Sequence, residues 1–284
     1  MNPMPNDFWV WGYVLDRIPG SAMFVDGPTC CSLESAARYL GCDNVMWMNS
    51  LHDLAALNES QYRHIAGFRR IVCGLTHVET NGPGLGGWKL HYVEAARKIG
   101  EFSLAHPNVT GALLDDFRAA TGPSKDMTAA ELRKVCEALK EKNPALKLYL
   151  VQYHMQQNPE DLLACRDWFD GISVWCWNST DHFWNAMYDR EITNLRRLFP
   201  EKEIIQGQFL HAFGDGGVAM PLDQLELQCR KIAPQLETGA IAGWSVIQNG
   251  FFDRESHRRQ VEFLHDYWNW FRGTRTVRTA PQAN

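Results

Sequence analysis

Eight short apolar runs recur along this chain, each separated from the next by helical spacing or loop chemistry, and this alternation constrains the fold most. The runs are Phe8 to Leu15, Val45 to Met48, Arg70 to Leu75, Val109 to Leu114, Lys147 to Val151, Gly171 to Trp175, Glu203 to Leu210 and Gly239 to Ile247. Between them lie helix signals. Ser32 precedes LESAARYL and Gly41 stops it, and a polar helix around Asn58 to Ala66 ends at Gly67. Trp88 to Leu104 has apolar helical spacing, and Thr128 with Glu131 forms a capping box that opens a helix through Lys142. Pro159 starts a short helix to Trp168. Thr180 or Asp181 caps one running to Phe199, and Pro221 begins one to about Leu236. Strands alternating with helices pair in parallel. Runs apolar on both faces suit strands covered on both sides. Eight units in 284 residues fit a single α/β domain, a (β/α)₈ TIM barrel, which takes about 250 residues.

The expected barrel spans 1–272, with a last helix from Arg254 to Phe271 and a disordered tail over 273–284. A doubly wound open sheet is the rival, but it brings a glycine-rich phosphate turn, and GxGxxG and the P-loop are both missing. The GPGLGG stretch, Gly82 to Gly87, lacks the Walker lysine and serine and reads as an active-site loop. A net charge of −5 without a basic stripe argues against nucleic acid. No apolar run reaches the roughly 18 residues of a membrane span. The eight cysteines are scattered without CxxC, and the N-terminus lacks a basic and an apolar signal region. Both point to reduced thiols in the cytoplasm for the chain as written; a removed leader would allow secretion or the periplasm. The sequence carries no signal for oligomeric state.

In a barrel of this kind, chemistry comes from the C-terminal ends of the strands. Those positions hold Asp16 after run one, Asn49 after run two, and His77 with Glu79 after run three. Next come Asp115 and Asp116, then Gln152, Tyr153 and His154, then Trp175 and Trp177. Run seven carries Gln206, Gln208 and His211; run eight carries Trp244, Gln248 and Asn249. Amides and carboxylates suit sugar hydroxyls, and indole faces suit the C–H face of a pyranose. The set therefore points to an oligosaccharide or glycoside substrate, with Trp175, Trp177 and Trp244 as stacking faces. The blander readings are tryptophans in the core, glutamines in an interior polar layer, and histidines hydrogen-bonded within the protein.

Asp115 and Asp116 are the sharpest signal. GALLDDF passes from a buried apolar run straight into two carboxylates. Two close carboxylates split their affinities for protons, which supplies a general acid and an anion from one strand end. The opposing reading is that one caps the following loop or pairs with Arg118. A second carboxylate set further away, if one is needed, would be Glu79, Asp181, Asp215 or Asp253.

ALLDDF and the tryptophan of GAIAGWSVI resemble the (β/α)₈-barrel glycoside hydrolases, and ALLDDF is similar to the paired-aspartate strand of the O-GlcNAcase family. That resemblance implies Asp115 orienting the substrate's acetamido group as nucleophile, Asp116 as general acid/base, and no cofactor. One alternative is a metal-dependent hydrolase or sugar isomerase using His77, Asp116, His154 and His211 as ligands; our expectation is no required metal. A third reading is a non-catalytic carbohydrate-binding barrel, which requires both aspartates locked in salt bridges or caps.

Overall fold

The computed structural model describes residues 7–15, 29–48, 59–75, 92–120, 124–214 and 217–279. Its eight barrel strands are β1 Phe8–Tyr13, β2 Asn44–Met48, β3 Arg70–Gly74, β4 Val109–Leu114, β5 Lys147–Tyr153, β6 Gly171–Trp175, β7 Glu203–Phe209 and β8 Gly243–Ile247. They close in the order β1-β8-β7-β6-β5-β4-β3-β2, every neighbour parallel. The TIM barrel read from the alternation is the fold.

Around it lie α1 Leu33–Tyr39, α2 Glu59–Ile65, α3 Tyr92–Ala105, α4 Ala129–Lys140, α5 Tyr188–Leu198, α6 Leu222–Glu237 and α7 Arg258–Thr279. A 3₁₀ segment, Pro159–Trp168, fills the place between β5 and β6. The capping box forms as read: Thr128 Oγ1 accepts from the Glu131 amide, and the Glu131 carboxylate accepts from the Thr128 amide. Thr180 rather than Asp181 caps the segment leading to α5, its hydroxyl accepting from the Phe183 amide at 3.2 Å. That segment opens with a π-helical turn, Phe183–Met187. The last helix continues to Thr279, beyond the expected end at Phe271. Among the described residues, no helix is long and apolar enough to cross a membrane.

Successive strand side chains point to opposite faces, and the interior set can be read from contacts. Arg70, Lys147, Tyr149 and Glu203 meet at the strand starts, where Tyr149 donates to Glu203 at 2.6 Å and Arg70 donates to both. Burial opposes ionisation of Glu203, but hydrogen bonds from Lys147, Tyr149 and Arg70 hold it down at about 2. This polar plug closes the bottom. Above it, Trp175 lies with its ring centre 6.0 Å from Trp11 and 5.0 Å from Phe209. Gly207 admits that indole, since a Cβ there would stand 2.1 Å from it. In phase with this filling, two residues further along their strands, come Tyr13, Asp115 and Tyr153.

Candidate active site

Asp115 is the first residue past β4, continuing the inward phase of Gly111 and Leu113. Its Oδ1 accepts the Asp116 amide at 3.0 Å. Asp116 has φ 48, a left-handed turn that redirects the chain immediately after the strand. There its Oδ1 accepts the Tyr153 hydroxyl at 2.6 Å. Tyr13, Tyr92 and Tyr153 all lie within the electrostatic reach of Asp115, and burial together with that carboxylate drives each phenol upward. Burial first, then the Asp116 charge, pushes Asp115 up to about 7; the hydrogen bond from the Asp116 amide opposes both. The residue as a whole is only partly buried. The two aspartates are thus adjacent at one strand end, Asp115 raised by burial and by its neighbour's charge and Asp116 held by Tyr153.

The turn that carries them is clamped from below. Phe117 O accepts Gln152 Nε2 at 3.0 Å and Gln157 Nε2 at 2.7 Å, and Gln157 Oε1 accepts the Tyr153 amide at 2.8 Å. Ser124 Oγ donates to Asp116 O at 2.9 Å. Arg118 does not pair with either carboxylate; it donates to the carbonyls of Met127 and Asp161. Among the described residues neither Asp115 nor Asp116 stands in an ion pair. Gln152 is therefore a support of the turn rather than a group reaching a ligand.

Beside Tyr153 stands an aromatic wall. Trp177 meets Tyr153 edge-on with ring centres 6.0 Å apart and stacks on Phe213 at 5.1 Å. Both stacked rings are half-buried. Further round, His211 Nδ1 and His257 Nε2 are hydrogen-bonded at 3.0 Å, and His211 stacks on Phe251. Burial, His211 and Arg254 lower His257 to about 4. Asn249, buried next to the buried Gln248, accepts the Tyr13 amide at 2.8 Å and donates to Cys31 O.

Several expected residues stand elsewhere. Trp244 is 0% exposed and packs on Phe8, Trp268 and Phe271, between β8 and α7. Gln208 accepts the Trp244 indole N–H at 3.0 Å and reaches Leu225 O and Cys229 on α6, so it too faces the helix layer. His154 donates to Gln206 Oε1 at 3.1 Å against Phe183 and Tyr188, and burial lowers it to about 4. The β7 phase that turns Gly207 inward turns Gln206 and Gln208 outward. Trp175 does face inward, but as filling 4% exposed rather than as an open stacking face. With His154 on the helix side, the metal set of His77, Asp116, His154 and His211 does not assemble. Among the described residues no group of three potential ligands comes together. Asp16, Asn49, His77, Glu79 and Asp215 lie outside the described residues. Asp253 accepts from Thr29 Oγ1 and the Cys30 amide, and Asp181 accepts from Gln224. Tyr13 and Gln157 join the site without having stood out in the sequence.

No family model and no curated protein matches the chain. Solved structures do. A GH99 endo-alpha-mannosidase from Bacteroides thetaiotaomicron superposes with TM-score 0.59 at 10% identity, covering 96% of this chain and 99% of that one. The active domain 2 of a chitinase from Pyrococcus furiosus gives 0.55 at 12%, covering 96% and 97%. A mutant tryptophan synthase alpha-subunit from the same organism gives 0.52 at 12%, covering 94% and 98%. What these chains share is the fold.

Proposed function

We propose that this protein is a glycoside hydrolase, with Asp115 and Asp116 as the acidic pair at the C-terminal mouth of the barrel. The observation that carries this reading is the adjacency of two carboxyl groups at one strand end, Asp115 raised by burial and its neighbour's charge, Asp116 hydrogen-bonded to Tyr153, which meets Trp177 edge-on. Asp115, its carboxyl pushed up to about 7, holds a proton for the leaving oxygen. Asp116, braced by Tyr153, supplies the charge beside the positive transition state. The glycosidic C–O bond breaks as Asp115 gives up its proton. Water then adds its oxygen at the anomeric carbon and returns a proton to the pair. The resemblance of ALLDDF to the O-GlcNAcase strand divides the roles in the opposite order; the burial of Asp115 favours Asp115 as the acid. Sharing a fold with an endo-alpha-mannosidase and a chitinase supports the sugar reading, and tryptophan synthase shows that this fold serves other chemistry too.

A purely binding barrel is disfavoured by the same geometry, because neither carboxylate is neutralised by a described cation. The test is a panel of aryl α- and β-glycosides incubated with the wild-type protein and with Asp115→Asn. Release of the aryl alcohol by the first, and its suppression in the second for the aglycones that leave poorly, supports the reading. No release across the panel, with the protein folded, overturns it.

A further inference from the structure

We propose that Tyr13 binds substrate, its phenol donating a hydrogen bond to a hydroxyl of the sugar ring and so selecting sugars that carry oxygen at that position. The sugar is taken from the glycosidase reading, whereas the unpartnered phenol stands without it. Trp11 reaches across the barrel to Trp175, which sets the inward phase of β1, and Tyr13 lies two residues further toward the open end. Its hydroxyl makes no hydrogen bond among the described residues, although the residue is only 7% exposed. Two other phenols of the barrel interior each find an acceptor: Tyr149 donates to Glu203 at the bottom and Tyr153 to Asp116 at the mouth. A buried polar group without a partner is rare in a folded protein, and this one stands at the end of the barrel where a ligand would enter.

Nor is this phenol loosely held. Asn249 Oδ1 accepts the Tyr13 amide at 2.8 Å and Asn249 Nδ2 donates to Cys31 O at 2.6 Å, tying the end of β1 to the segment after β8. Gly12 leaves room for this, since a Cβ there would stand 2.0 Å from Asn249 Oδ1. The backbone is thus fixed before any ligand arrives, which lowers the ordering cost of binding. Burial and the charge of Asp115 keep the phenol protonated, so it donates. Asp115 gives its own proton to the glycosidic oxygen, which leaves Tyr13 for a hydroxyl of the same ring. A C–H at that place would bury the phenol unpaired, and a site of this kind discriminates strongly against the missing oxygen.

The experiment is a cycle of Tyr13→Phe against deoxygenation of the sugar. Nitrophenyl glycosides of glucose, galactose, mannose and N-acetylglucosamine are compared with their monodeoxy analogues for kcat/KM. The wild type is expected to lose roughly tenfold or more at one ring position, and Tyr13→Phe to lose as much on the parent and nothing further on that analogue. Thermal melting of Tyr13→Phe should match or exceed the wild type, because the hydroxyl removed holds nothing in the fold. The same loss on the parent and on every analogue, or a lower melting temperature, overturns the inference. Hydrolysis undiminished in Tyr13→Phe also overturns it and leaves the glycosidase reading standing alone. If no glycoside is hydrolysed, that reading falls, and calorimetric binding of the same glycosides decides for Tyr13. Binding to the wild type that Tyr13→Phe weakens by the same factor supports the inference, and equal binding or none overturns it.

Discussion

Asp115→Asn should stabilise the protein at alkaline pH and do almost nothing at acid pH. Burial and the neighbouring Asp116 raise the Asp115 carboxyl from 3.8 to about 7 in the fold. The folded state therefore binds this proton more tightly than the unfolded chain. Stability falls as pH rises through the window from about 4 to about 7; the penalty is complete above it and absent below it. Taken at face value, the difference amounts to at most about 4 kcal/mol. The residue is partly exposed, and screening brings the expectation to roughly 1–3 kcal/mol. Asparagine keeps the shape, and its Oδ1 can still accept the Asp116 amide. The assay is thermal unfolding of both proteins from about pH 4 to about pH 8. The variant should melt with the wild type at the acid end and roughly 3–8 °C above it at the alkaline end. Parallel curves across the range, or a variant less stable at pH 8, would refute the argument that the pocket holds a desolvated carboxyl.

Tyr153→Phe removes the donor to Asp116 and should lower kcat by about tenfold, the worth of one charge-assisted hydrogen bond, with circular dichroism unchanged. Trp177→Ala should raise KM for oligosaccharides with little change in melting temperature. Trp244→Ala should cost about 3–5 kcal/mol in denaturant unfolding and leave KM alone, because the first indole stands at the mouth and the second between β8 and α7. Gly12→Ala would set a Cβ 2.0 Å from Asn249 Oδ1. It should displace the Asn249 bridge to Tyr13 and Cys31, measured as lower melting temperature and weaker activity together.

The barrel was legible because each strand is an apolar run bracketed by helix and turn chemistry. Val109–Leu114 and Gly171–Trp175 fall where the pattern places them. Boundaries moved where local conformation overrode the run. Gly239, expected to open the eighth strand, has φ 74 and lies in a turn, so β8 starts at Gly243. The acidic pair was legible because two charges interrupt buried sequence. Which side chains reach the mouth was not. Strands buried on both faces carry no apolar–polar alternation, so residue type alone could not tell inward Tyr153 from outward Gln208. Tyr13 was hidden inside FWVWGY for the same reason, though it shares the phase of Trp11. Gln157 sits in a loop, where only the fold shows that its amide holds the turn carrying the aspartates.

The division of labour between the two aspartates is tested most directly by four rates. Asp115→Asn and Asp116→Asn are each assayed on one activated aryl glycoside and one with a poor leaving group. General acid catalysis contributes roughly 10²–10⁴-fold, so Asp115→Asn should lose about that much on the poor leaving group and far less on the activated one. Asp116→Asn should lose activity on both alike, because a charge at the transition state acts whatever the leaving group. Leaving-group dependence in Asp116→Asn instead would assign the acid to Asp116, and near-wild-type rates for both variants would remove the acidic pair from catalysis.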